Sequence, residues 1–115
     1  MIGHMQVENN SRYGTLGMPC SISPVIIKNL LQEELKYRGL VVTDAMQMSA
    51  VMRIPDADWK AVLAGVDMVL IPANPDLLHS RILAALSGDG PLKTQLEKSI
   101  KKVIRLKICT REREL

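Results

Sequence analysis

Asp44 is the residue in this chain best placed for chemistry. It follows Leu40-Val41-Val42-Thr43, a run of apolar and β-branched residues that fits a strand buried on both faces of a parallel sheet. A carboxylate at the carboxyl end of such a strand stands where barrels and open α/β sheets keep their reactive groups. Held rigidly in polar surroundings, it can act as a nucleophile; the competing reading is a helix N-cap or strand-end turn. His4 lies on a short strand-like stretch, Met1 to Val7, and spacing alone allows it to be a core or edge histidine satisfied by a hydrogen bond. His79 falls inside a helical pattern and reads as a surface residue. Cys20 and Cys109 are far apart, without metal-ligand spacing, so they read as free thiols. Asp67 comes just before a third apolar run, at the end of a strand that serves stability in barrels.

The elements that must position these groups alternate. Strands are expected at about Ile2 to Gln6, Leu40 to Thr43 and Met68 to Ile71. Residues 8–22 hold Asn9, Asn10, Gly14, Gly17 and Pro19 and read as a long loop on the Asp44 side, from which Arg12 and Tyr13 are within reach of a ligand. Ser23 and Pro24 then open an amphipathic helix whose Ile26, Ile27, Leu30, Leu31 and Leu35 recur at helical spacing, with Gly39 as a left-handed stop. Asp56 is an expected cap for a helix from Ala57 to Ala64 that Gly65 ends. Asn74 and Pro75 open another, to Leu86, and Asp89-Gly90-Pro91 a last one. Its stripe of Leu92, Leu96, Ile100, Val103, Ile104 and Ile108 should pack on the sheet. Strand and helix in alternation imply parallel strands joined by right-handed crossovers, an α/β fold.

Pro19-Cys20-Ser21-Ile22-Ser23-Pro24, then a helix, then Arg38-Gly39 and Leu40-Val41-Val42-Thr43-Asp44-Ala45-Met46-Gln47-Met48, resemble glycoside hydrolase family 3, especially its bacterial β-N-acetylhexosaminidase branch. Gly3-His4 upstream and Ala64-Gly65-Val66-Asp67-Met68 downstream match in order, so the resemblance covers nearly the whole chain. It implies a partial (β/α)8 TIM barrel, residues 1–115 forming its last three βα units. It also implies Asp44 as the nucleophile of a retaining glycosidase, His4 and Met48 as sugar-binding residues, no cofactor and no metal. The implied partner is a β-linked sugar, an amino sugar or a glucoside. The family's proton donor, a histidine on a Lys-His-Phe-Pro-Gly-His type loop or a glutamate from a following domain, has no counterpart here, nor have its sugar-holding arginine and lysine. Ser49 stands where a glycine is common in the family.

Composition sets the bounds. At 115 residues the chain is one domain and well short of the roughly 250 residues of a complete barrel, so it is expected to be a piece of one. Its 47% hydrophobic and 23% charged residues are globular proportions, with Met and aliphatic side chains in place of Phe. The net charge of +3 gathers between Lys98 and Arg113 and reads as a solvated helix face rather than a nucleic-acid site. No apolar run approaches the roughly 18 residues of a membrane span, and no signal pattern starts the chain, so neither membrane nor nucleic acid is an expected partner. The expected location is cytoplasmic, unless a targeting segment has been lost upstream.

Two other readings compete. Receiver domains also carry an aspartate after a buried strand, as phosphoacceptor, but this chain lacks their acidic pair for Mg²⁺, their downstream lysine and a Met-Pro after Asp44. Alternatively the chain is a catalytically silent remnant that associates with itself or with a missing barrel half through open sheet edges.

Overall fold

The computed structural model describes the backbone of residues 1–114 and the side chains of residues 1–111. Three extended segments lie side by side, with residues 41–44 between the other two. Parallel bridges join Ile2 to Thr43 and Val42 to Met68. Ile2 N–H donates to Val42 O at 2.7 Å and Asp44 N–H to Ile2 O at 2.9 Å, while Thr43 N–H donates to Met68 O at 3.1 Å on the other side.

The pairing is parallel, but no regular strand forms among the described residues, against the expectation of three. A local cause is visible at Leu70, whose N–H goes to the Thr43 hydroxyl at 3.0 Å instead of a main-chain carbonyl. A side chain thus takes the place of the next rung. The third segment is not buried either: Met68, Leu70 and Ile71 are exposed, and Ile71 has a φ of 45° that breaks the extended conformation.

Helices dominate the rest. A 3₁₀ turn, Cys20–Ile22, leads into a π-helix, Val25–Glu34, where a regular α-helix was expected. Ile26 and Ile27 are buried as their spacing suggested, whereas Leu35, the residue just after the helix, is 63% exposed. The expected left-handed stop at Gly39 is taken by Lys36, at φ 55°. A Cβ at Gly39 would lie 2.5 Å from the hydroxyl at the tip of the exposed Tyr37 side chain, which would have to move aside.

Four α-helices follow: α1 (Ser49–Met52), α2 (Ala57–Ala64), α3 (Pro75–Leu86) and α4 (Pro91–Glu114). Gly65 closes α2 at φ 115°, and the Asn74 side chain caps α3 by accepting from Leu77 N–H at 3.1 Å. Asp56 precedes α2 without capping it. Its left-handed backbone (φ 55°) accompanies an ion pair with Arg81 of α3 at 3.1 Å instead.

The main core gathers Ile22, Ile27, Val41, Met46, Val51 and Ala61 between the helices and the paired segments. Completely buried side chains such as Ile27 each contribute about 2 kcal/mol or more. A second cluster, Val62, Leu78 and Leu96, joins α2, α3 and α4. Only the first turns of α4 pack as its stripe suggested, since Ile100, Ile104 and Ile108 are exposed.

Candidate active site

The Ala45 peptide links the three residues that the sequence singles out. Its N–H donates to Asp44 Oδ1 at 2.8 Å, and its carbonyl accepts from His4 Nε2 at 2.8 Å and from Met48 N–H at 3.2 Å. The Asp44 backbone is itself tied to Ile2, so the carboxylate leaves a segment fixed on both sides. Asp44 is half-buried.

His4 reaches this peptide because it follows directly on the Ile2 bridge. A carbonyl only accepts, so Nε2 carries a proton, and in the neutral ring Nδ1 accepts from the Ser21 hydroxyl at 2.6 Å. Ser21 is fully buried in the 3₁₀ turn. Both ring nitrogens are thus engaged inside the chain, and the ring joins the buried 3₁₀ turn to the Asp44–Ala45 turn. Met48 joins through its backbone, while the residue as a whole is 46% exposed.

Sequence reasoning missed Ser21 and Ala45. The signal for Ser21 was its place in Pro19-Cys20-Ser21-Ile22-Ser23; nothing about Ala45 distinguished it. The loop over residues 8–22 is folded back on itself, with the Asn10 side chain accepting from Arg12 and Tyr13 N–H and buried Thr15 paired to Val7. Arg12 turns to Glu34 of the π-helix at 3.5 Å and stacks over the Tyr13 ring. His79 is exposed on α3. Beside Ser21, burial pushes the Cys20 thiol pKa up.

A cavity of about 270 Å³ lies behind Met46, between α1, α2 and α3. Trp59, Leu77 and Leu78 line it, and neither Asp44 nor His4 does. It belongs to the helical packing, where Asp58 Oδ2 accepts from Asn74 N–H at 3.2 Å.

With this geometry in view, residues 1–106 match the glycosyl hydrolase family 3 N-terminal domain. The chain belongs to glycoside hydrolase family 3. A stretch of 66 residues, 55% of this family 3 chain, is 36% identical to β-hexosaminidase A of Pseudoalteromonas piscicida and covers 11% of it. A fungal multi-domain family 3 β-N-acetylglucosaminidase superposes with a TM-score of 0.72 at 26% identity, over 91% of this chain and 13% of the fungal one. The β-N-acetylglucosaminidase of Thermotoga maritima gives 0.65 at 29% identity, over 76% of this chain and 21% of its own. The chain therefore spans 11% to 21% of the length of these relatives.

Proposed function

We propose that this family 3 chain supplies the nucleophile-bearing part of a retaining glycoside hydrolase for β-linked amino sugars, with Asp44 as the attacking carboxylate. One observation carries the reading: Asp44 Oδ1 is anchored by Ala45 N–H, while no group among the described residues bonds its second oxygen. A nucleophile needs this combination, rigid placement and one oxygen left to approach the anomeric carbon. The names of the hexosaminidase and glucosaminidase relatives support the amino-sugar class. Parallel pairing between segments joined by helices supports the last three βα units of a barrel.

Retention also requires a proton donor for the leaving oxygen. The sequence has no Lys-His-Phe-Pro-Gly-His motif, His4 is engaged on both nitrogens, and His79 is exposed on α3. This chain alone should therefore not turn over a simple nitrophenyl β-N-acetylglucosaminide. A dinitrophenyl glycoside, whose phenolate departs without protonation, should instead leave one sugar esterified to Asp44, visible by intact mass and absent from Asp44→Asn. An adduct missing from the parent chain, or persisting in Asp44→Asn, would remove Asp44 from the role. Steady turnover of the unactivated substrate that Asp44→Asn abolishes would place a proton donor within this chain.

A further inference from the structure

The other end of the paired segments carries a groove that plays no part in the reading above. It has a volume of about 710 Å³ and lies between α4 and the stretch from the π-helix to Leu40. Arg38, Lys98, Lys101, Lys102 and Arg105 line it against a single carboxylate, Asp67. Five cations and one anion leave the groove at +4, while the whole chain carries +3, so the remaining residues are net negative.

The four α4 cations recur at spacings of three and four residues, which puts them along one helix face. From Lys98 to Arg105 that row is about 10 Å long at the rise of an α-helix. Lys102 is satisfied, with Nζ 3.3 Å from both Asp67 Oδ2 and Gly39 O. Arg38, Lys98, Lys101 and Arg105 form no ion pair among the described residues. Like charges in one concavity repel each other and focus an attractive field on anions.

We propose that this groove binds a compact polyphosphate-type anion, its phosphates distributed along the α4 row. The volume is that of a small-ligand site. Tyr37 is the only aromatic residue in the lining, and its hydroxyl donates to Leu40 O at 3.0 Å, so there is no succession of rings on which nucleic-acid bases could stack. The unpaired cations favour a ligand carrying several charges over a single carboxylate or phosphate.

Calorimetric titration of the whole chain with inorganic tripolyphosphate, at about 0.15 M salt, tests this. One site is expected. The double variant Lys98→Ala/Arg105→Ala should weaken it by about tenfold or more with its circular dichroism unchanged. The pair Arg53→Ala/Lys60→Ala removes the same charge outside the groove and should leave affinity intact, as should Asp44→Asn. Equal weakening by both double variants would mean a diffuse ion atmosphere and overturn the proposal. So would orthophosphate binding as tightly as tripolyphosphate. A single-stranded oligonucleotide binding more tightly than tripolyphosphate would overturn it in favour of a nucleic-acid site.

Discussion

Asp44 and Asp67 flank the same paired segments from opposite ends and are held in opposite ways. Asp67 is saturated: Oδ2 accepts from Val41 N–H at 2.9 Å and pairs with Lys102 at 3.3 Å, and Oδ1 accepts from Ser99 at 2.5 Å. Its side chain is 2% exposed. Asp44 has one bond, from the next residue in the chain, and is half-buried. A carboxylate whose acceptor capacity is filled by the fold serves stability, and one left under-used at a fixed position is available for chemistry.

The largest test of this contrast is a pair of substitutions. Asp67→Ala strands Val41 N–H, Ser99 and the Lys102 ammonium together and detaches α4 from the paired segments, so it should cost about 3 kcal/mol in urea unfolding. Asp44→Ala removes a single local bond and should cost about 0.5 kcal/mol or less, in line with the usual trade between stability and function. Equal costs would break the comparison. A smaller effect should come from His4→Phe, which leaves buried Ser21 and the Ala45 carbonyl without their shared partner. About 1 kcal/mol is expected, because Ser21 is fully buried and loses its partner, while the Ala45 carbonyl keeps its bond from Met48 N–H. If Ser21→Ala costs as much again when added to His4→Phe, the two residues are not coupled through the ring.

What the sequence made legible follows the range of the forces involved. The extents of α2 and α3 were readable because Gly65, Asn74 and Pro75 act on their own neighbours. The placement of Asp44 at the end of the middle segment was readable from four consecutive residues. The π-helix was not, because an apolar period of three to four does not distinguish it from an α-helix. Nor was the loss of the third strand, which turns on the Thr43 hydroxyl meeting Leu70 N–H from 27 residues away. The His4 bridge to Ser21 and Ala45 spans 17 and 41 residues. Such contacts depend on folding already completed elsewhere. The place of Asp67 at its end of the segment was readable, but its partners Ser99 and Lys102 looked like ordinary members of a solvated helix face.

The smallest expected effect bears on how tightly the Asp44 end is closed. Cys20 adjoins the Ser21 bridge, donates its N–H to Met5 O at 2.6 Å, and is buried. Burial disfavours the thiolate, so the folded pKa lies above the unfolded one. A native state that holds its proton to higher pH than the unfolded chain has its full stability below the unfolded thiol pKa, about 8.5, and loses some as pH rises towards the folded value. One proton limits the slope to about 1.4 kcal/mol per pH unit. Other groups titrate in this range, and Cys20→Ala separates them. The difference in unfolding free energy between the parent chain and Cys20→Ala should be constant from pH 6 to 8 and then fall as the solution becomes alkaline, by about 1 kcal/mol or less per unit. A difference that stays flat through pH 10 would mean that the thiolate is solvated in the native state. The Ser21 turn would then be open to water, and His4 would be holding Ala45 from a wet site rather than a closed one.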